Sequence, residues 1–196
     1  PPCFRASNPL AHSIRMKTHI AFFAFASVLT LASAEAQQTK LTGFPALANE
    51  FVFTTLAFSP AGATQTGLHS YHDPATGKDL NLDQMLDDYS PAGMTKQRAF
   101  YTSFRARLGR LSVQQMDPQT QADYGVLQNA VSAAFFSMDR ERFYTWKPQI
   151  YTEGLGSALF ANISLEYADK NTRARDLTVR LEKTPAFMDQ AIRNLT

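Results

Sequence analysis

The chain has 196 residues, enough for one medium-sized domain. Its 44% hydrophobic and 18% charged content is typical of a globular protein that can bury a core. Three of its 19 basic and one of its 17 acidic residues lie in residues 1–36, so residues 37–196 carry 16 of each. With this neutral balance, no basic excess is left to attract nucleic acid or anionic lipid. The single cysteine, Cys3, leaves residues 37–196 without a disulfide or a thiolate site.

Residues 16–36 have the order of a secretory signal peptide. Met16 and Lys17 open a short basic lead, residues 20–31 are apolar, and two small-x-small cleavage patterns end at Ala34 and Ala36. The apolar run is shorter than the roughly 20 residues that span a bilayer, which disfavours the alternative of an uncleaved membrane anchor. The sequence therefore predicts an exported protein, periplasmic or extracellular, with no stable membrane anchor after cleavage.

Two segments flank this signal. Residues 1–15 precede a suitable start methionine and are interpreted as non-native upstream translation; the alternative is a genuine N-terminal extension. Residues 37–43 form a polar linker, and residues 44–196 are predicted to form one helical domain.

The first predicted helix begins near Pro45, a residue that suits a first helical turn. Leu47, Phe51, Leu56 and Phe58 follow at roughly helical spacing, and the Ser59-Pro60 step is expected to end the helix. Residues 59–89 then contain three glycines and two prolines, and they predict a long loop with one short helical turn at residues 80–86. A loop of this length inside a domain is commonly functional or flexible.

Ser90-Pro91 and Asp117-Pro118 are two helix-start signals, each with a capping side chain before a proline at the first helical position. Each is followed by an apolar stripe, and two adjacent amphipathic helices bury such stripes by packing as an antiparallel hairpin. The stripes comprise Phe100, Phe104, Leu108 and Leu111 in one helix, and Tyr124, Leu127, Val131, Ala134, Phe135 and Met138 in the other.

The last part of the chain predicts two more helices. Leu155, Leu159, Ile163 and Tyr167 share one face. Asn171 or Thr172 is expected to cap the final helix, with Leu177 and Leu181 facing inward and Thr184-Pro185 breaking or kinking it. Phe187, Ala191 and Leu195 resume the stripe, and the chain stops at Thr196 within this pattern, which predicts a truncated domain.

Four segments together resemble the bacterial domain of unknown function 885 family over roughly residues 44–196. Residues 63–71 (ATQTGLHSY) and 86–91 (LDDYSP) are similar to its A-T-x-x-G-x-H-x-Y and L-D-D-x-S-P motifs. The stretch from Asp117 to Leu127 resembles its I-D-P…D-x-x-L pattern, and residues 180–195 resemble its R-L-x-x-x-P-x-F-L-x-x-A-x-x-N-L helix pair.

This resemblance implies an all-α, mainly helical fold whose helical hairpins form the N-terminal part of a larger peptidase-like protein. Full members are several times longer and similar in architecture to zinc peptidases with a deep channel. Many carry a His-Glu-x-x-His helix in their C-terminal half. That motif is absent from this chain, so the expectation is no cofactor here and zinc only in the full-length protein. The remaining half of the same chain is the expected partner, together with a peptide substrate.

His69 and Tyr71 are the candidate substrate-binding residues, because they lie in a family motif and loops often carry function. His69 and His72 form the one clustered histidine pair, but zinc needs at least three protein ligands, so metal ligation is disfavoured against a structural role. Asp87 and Asp88 could bind a cation or act as acid and base; stabilisation of the next helix's N-terminus is the favoured alternative. No catalytic residue is assigned.

Two functional hypotheses follow. The first is the N-terminal helical portion of an exported zinc-dependent metallopeptidase-like hydrolase, inactive as this fragment, which walls the substrate channel. The second is a non-catalytic exported helical binding or scaffold module that uses residues 59–89 as a recognition loop. Whether the full-length protein is an enzyme is left open by the sequence.

Overall fold

The computed structural model describes residues 43–195, and it confirms a mainly α-helical fold. The predicted boundaries of the upstream segment, the signal peptide and most of the linker lie outside the described residues. Six α-helices and one two-stranded hairpin make up the described part: α1 Gly43–Phe58, α2 Pro60–Gln65, β1 Ser70–Asp73, β2 Lys78–Asn81, α3 Pro91–Leu108, α4 Pro118–Phe136, α5 Gln149–Ser164 and α6 Lys170–Asn194.

The predicted hairpin of α3 and α4 is present, and both predicted caps form. The Ser90 hydroxyl accepts a hydrogen bond from the Gly93 amide at 3.1 Å, and the Asp117 carboxylate accepts from the amides of Gln119 and Thr120. Such caps satisfy amide groups that have no partner inside the helix. The two helices therefore begin where their sequence signals place them.

The α3–α4 hairpin packs with α1 around a cluster that we call the apolar core: Phe104, Leu108, Leu127 and Val131. Phe104 is fully buried, and its ring lies 4.9 Å from that of Phe51 and 5.7 Å from that of Phe100. Aromatic rings in contact at these distances add to the free energy of apolar burial. The periodic stripes seen in the sequence account for this part of the fold.

The prediction of a long loop over residues 59–89 is wrong in its details. The first helix ends at Phe58, just before the Ser59-Pro60 step, as predicted, but Pro60 then begins the short helix α2. Strands β1 and β2 pair antiparallel from Ser70–Asn81 to Asp73–Lys78. The strand pair is only four residues long on each side, so the alternation that marks a strand is too short to detect. A 3₁₀ turn at Leu82–Gln84 takes the place of the predicted helical turn at residues 80–86.

The structure also corrects the last two helices. Helix α5 begins at Gln149 and ends at Ser164, and Ile163 on its predicted inner face is mostly exposed. Asp169, not Asn171 or Thr172, caps α6, because its carboxylate accepts from the amides of both those residues. Pro185 lies inside a continuous α6.

The inward face of α6 differs from the predicted one. Leu181 is half exposed, whereas Asp176 and Arg180 are buried on the side that also carries Phe187 and Ala191. A hydrophobic pattern cannot predict this arrangement, because charged residues are assigned to solvent by default. The buried polar residues instead form a second core between α2, α5 and α6.

Candidate functional site

Arg180 of α6 is the centre of this second core. Its side chain is fully buried, and its guanidinium group donates to four backbone carbonyls and two side chains. Burial lowers the pKa of Arg180, and the nearby carboxylates of Asp83, Asp176 and Asp87 oppose this effect. An arginine fork suits such a position because its five donors lie in one fixed plane. The acceptors are the carbonyls of Pro60, Leu82, Met85 and Ala158, the Thr64 hydroxyl and the Asn162 side chain.

Asn162 and Asp176 continue the network on one side of Arg180. The Asn162 oxygen accepts from Arg180 at 2.8 Å, and its nitrogen donates to the Tyr167 hydroxyl at 2.7 Å. Tyr167 in turn donates to Asp176 at 3.0 Å. Burial raises the pKa of Tyr167 to about 12, and the bond to Asp176 adds to this rise although the bond from Asn162 opposes it. Tyr167 is therefore a protonated donor at neutral pH.

Asp83 continues the network on the other side. Its carboxylate is almost completely buried and accepts from the Thr64 hydroxyl at 2.7 Å. The same carboxylate lies 3.0 Å from Nδ1 of His69. We call the five residues Arg180, Thr64, Asp83, Asn162 and Asp176 the polar core. His69 connects Asp83 to solvent, since its side chain is 35% exposed.

His69 lines an open cavity of about 420 Å³. Its ring stacks on that of Tyr167, with centroids 4.6 Å apart and planes 18° from parallel. The two stacked rings line the cavity, and their polar atoms are bonded to the carboxylates of Asp83 and Asp176. The cavity is also lined by Ser70, Asp79, Leu80, Asn81, Ala168 and Thr172.

Tyr71, the other candidate substrate-binding residue, faces a different cavity. Its hydroxyl lies 2.8 Å from the Thr54 hydroxyl, within a cavity of about 110 Å³ that also contains Asp73 and Lys96. The structure therefore separates the two residues that sequence reasoning placed together. Of these two residues, only His69 lines the larger cavity.

The histidine pair is also separated. His72 is paired with Asp79 across the hairpin at 2.8 Å, and both side chains are largely exposed, whereas His69 is held by the buried Asp83. Within residues 43–195, no group of three or more His, Cys, Asp and Glu side chains is arranged to hold a metal ion. The described residues thus do not fit a zinc site.

Asp87 and Asp88 have different environments. Burial raises the pKa of Asp87, against weaker effects of hydrogen bonds from Tyr89 and Ser59. Asp88 is exposed and accepts from the Ser90 amide at 2.9 Å, next to the start of α3. Its position fits the favoured structural role at a helix N-terminus. The geometry brings neither residue to the cavity of His69.

Sequence reasoning did not assign Arg180, Asn162, Asp176, Tyr167 or Asp83 to a site. One signal was available: Asp176, Arg180, Phe187 and Ala191 share a helical face at spacings of four, seven and four. A face that carries two charged and two apolar residues can mark a buried polar network. The partners from residues 60–85 had no such signal, because no local pattern links them to α6.

Comparison with known proteins agrees with this fold. The family model described as "Bacterial protein of unknown function (DUF885)" matches residues 60–196, most of the chain. The chain belongs to the DUF885 family. The DUF885 match includes every residue of the polar core. No curated protein is similar to the chain at a significant level.

A solved structure shares the fold of this DUF885 chain. It is that of a candidate lipoprotein of unknown function from Shewanella oneidensis, with a TM-score of 0.66 and 22% sequence identity. The match covers 80% of this chain and 26% of that protein. The chain therefore spans about a quarter of the length of its structural neighbour.

Proposed function

We propose that residues 43–195 form a substrate-facing wall of an exported, zinc-dependent metallopeptidase-like hydrolase. The observation that carries this proposal is the open cavity at His69, whose imidazole is held from behind by the buried Asp83 carboxylate. An imidazole oriented in this way is suited to hydrogen bonding or proton transfer with a bound substrate. The hydrolase class rests on the family resemblance.

His69 and Tyr167 supply the contacts that a peptide would meet at this wall. Imidazole and phenol groups on a stacked pair offer flat apolar faces together with polar edges, which suits a peptide backbone. We keep His69 as a substrate-binding candidate and replace Tyr71 with Tyr167. Of the two tyrosines, only Tyr167 lines the same cavity as His69.

Zinc in this proposal is bound outside residues 43–195, in the remainder of a longer chain. The share of the structural neighbour that this chain covers supports such a remainder. Exposed apolar side chains on α4, α5 and α6 support it as well, because a surface that another segment covers carries such side chains. Val126, Phe160, Ile163 and Ile192 are each more than half exposed.

Export is the proposed location, periplasmic or extracellular. The signal-like sequence of residues 16–36 supports it, and so does the description of the structural neighbour as a candidate lipoprotein. No helix among residues 43–195 has the length and apolar character needed to cross a membrane.

The test is made on the full-length protein, purified from the exported fraction. We expect about one zinc per chain and hydrolysis of a fluorogenic peptide mixture that a chelator abolishes and added zinc restores. Absence of both zinc and chelator-sensitive cleavage would contradict the proposal and favour a non-catalytic exported binding or scaffold module.

A further inference from the structure

Arg180 has more contacts than the packing of α6 alone requires. Its Nη2 donates to the Leu82 carbonyl at 3.0 Å and its Nε to the Met85 carbonyl at 3.0 Å, so it holds both ends of the turn that carries Asp83. The Asn162 side chain donates to the Asp83 carbonyl at 3.2 Å. The backbone around Asp83 is thus fixed from α5 and α6 together.

Thr64 connects the guanidinium group to the Asp83 side chain. Nη2 of Arg180 donates to the Thr64 oxygen at 2.8 Å, which makes that oxygen an acceptor. The single hydroxyl proton is then directed to one of two acceptors, the Asp83 carboxylate at 2.7 Å or the Pro60 carbonyl at 3.1 Å. The carboxylate is favoured, because a charge-assisted hydrogen bond is shorter and stronger.

This chain of bonds determines the chemistry of the carboxylate. Asp83 is almost completely buried, and a buried carboxyl group tends to become neutral unless donors and positive charge stabilise its ionised form. Thr64 is such a donor and Arg180 is such a charge. An ionised Asp83 can only accept hydrogen bonds, so the His69 nitrogen facing it must carry a proton.

We propose that Arg180 is a positioning residue which, through Thr64, keeps Asp83 as an acceptor and thereby fixes the proton of neutral His69 on Nδ1. Nε2 is then presented to the cavity as an acceptor for an N–H or O–H group of the ligand, such as a peptide amide. This inference deepens the proposed function and rests on it for the ligand class. The state of the histidine itself is independent of any activity.

The experiment uses the full chain labelled with ¹⁵N in histidine, at a pH where the imidazole is neutral. His69 signals are assigned by their loss in His69→Gln. We expect the wild type to show one tautomer, with Nδ1 protonated. Asp83→Asn, whose amide can donate, is expected to shift the proton to Nε2, because the wrong partner selects the wrong tautomer.

The Thr64→Val variant tests whether Arg180 acts on Asp83 through the Thr64 hydroxyl. It removes the hydroxyl with little change of volume, and we expect it to convert the single pattern into a mixture of both tautomers, while Thr64→Ser retains the wild-type pattern. Thr64→Ala gives the same test if the valine variant does not fold. Thr66→Val is the matched control, because Thr66 makes the same bond to the carbonyl four residues earlier at 3.1 Å.

A wild-type histidine pattern in both Thr64→Val and Thr64→Ala, with the shift still present in Asp83→Asn, would overturn the proposal. Asp83 would then fix the tautomer without help from Arg180. A protonated Nε2 in the wild type would overturn it as well. None of these results depends on zinc or peptide cleavage, so the inference and the proposed function can fail separately.

Discussion

The apolar core and the polar core hold two halves of the same fold in different ways. In the apolar core, Phe104 packs against rings of α1 and α3 with no directional requirement beyond shape. In the polar core, the five N–H groups of Arg180 are surrounded by six acceptors, of which Pro60 and Leu82 are 120 and 98 residues away in sequence. Apolar burial is roughly proportional to area, whereas a buried donor without its acceptor costs the full free energy of its desolvation.

This difference teaches where the molecule tolerates change. Apolar side chains of similar size can substitute for one another in a core at modest cost. The members of a buried hydrogen-bond network cannot be exchanged in this way, because removing one of them leaves several polar groups without a hydrogen-bond partner. We therefore expect substitutions to cost more stability in the polar core than in the apolar core. The polar core is also the part of the fold that contacts His69 of the candidate site.

Arg180→Met is expected to cause the largest loss of stability among the substitutions compared. It keeps an unbranched apolar chain but removes every donor, so the Met85 carbonyl and the Asn162 side-chain oxygen lose their hydrogen bonds from Arg180. The buried carboxylates of Asp83 and Asp176 also lose the positive charge near them, and we expect a loss of at least about 4 kcal/mol in the free energy of unfolding. Urea unfolding measures this loss. Arg105→Met is the control: Arg105 is exposed and lies 4.5 Å over the Phe135 ring, and we expect a loss of about 0.5–1 kcal/mol. Similar losses in both variants would contradict the account.

Phe104→Ala is the corresponding change in the apolar core. The side chain is fully buried, and its removal leaves a cavity among the rings of α1 and α3, with an expected loss of about 3 to 4 kcal/mol. Phe104→Leu should recover much of this loss, because it restores apolar volume. Gln128→Ala at an exposed polar position of α4 is the control and should change stability by less than about 0.5 kcal/mol. A loss at Gln128 as large as that at Phe104 would contradict this account of the apolar core.

Alanine substitutions at two helical glycines should change stability by smaller amounts and in opposite directions. A Cβ at Gly93 would lie 2.6 Å from the Asp88 carbonyl oxygen and 2.5 Å from its Cγ, so Gly93→Ala should cost about 1–3 kcal/mol. Gly125 in α4 has no atom within 4 Å of the same position, and Gly125→Ala should stabilise the fold by about 0.5–1 kcal/mol. Thermal unfolding of the two variants gives the comparison; changes of the same sign would contradict it.

Two buried carboxylates should give the smallest, pH-dependent effects. Burial raises the pKa of Asp73, but hydrogen bonds from Lys96, Ala75 and Thr76 together hold it below the ordinary value of 3.8. Its contribution to stability is therefore present above pH 3.8 and is lost as the pH falls through the lower folded-state value. Asp87 has the opposite sign, because burial raises its pKa: its contribution is present below pH 3.8 and is lost as the pH rises.

Asparagine variants separate these two effects. Relative to the wild type, Asp73→Asn should become progressively less stable as the pH rises through the titration range, and Asp87→Asn progressively more stable. Free energies of unfolding between about pH 2 and pH 7 provide the test. Slopes of the same sign for the two variants would show that the two carboxylates do not differ in this way.

Much of the apolar half was predictable from the sequence. Ser90-Pro91 and Asp117-Pro118 fixed the starts of α3 and α4 because capping is local chemistry. Periodic apolar residues then predicted which faces meet. The hairpin at residues 70–81 escaped prediction because four-residue strands have too few positions to show an alternating pattern.

Most of the polar core and of the candidate site could not be predicted from the sequence. His69 was identified through a motif, but its partner Asp83 and its neighbour Tyr167 lie 14 and 98 residues away, and no local rule pairs them. Leu181 was predicted to face inward where Arg180 does, because hydropathy assigns an arginine to solvent. Tyr71 shared the motif of His69, yet the hairpin directs it to Thr54 and another cavity.

The central claim is that His69, held by the polar core, faces the substrate. The most direct measurement compares kcat/KM for peptide cleavage by the full-length protein in the wild type, His69→Gln and His72→Gln. The two histidines lie three residues apart, but only His69 has a buried carboxylate partner. The account predicts at least a tenfold loss, about 1.4 kcal/mol, for His69→Gln and wild-type activity for His72→Gln. Unchanged activity in His69→Gln, or equal losses in both variants, would contradict it.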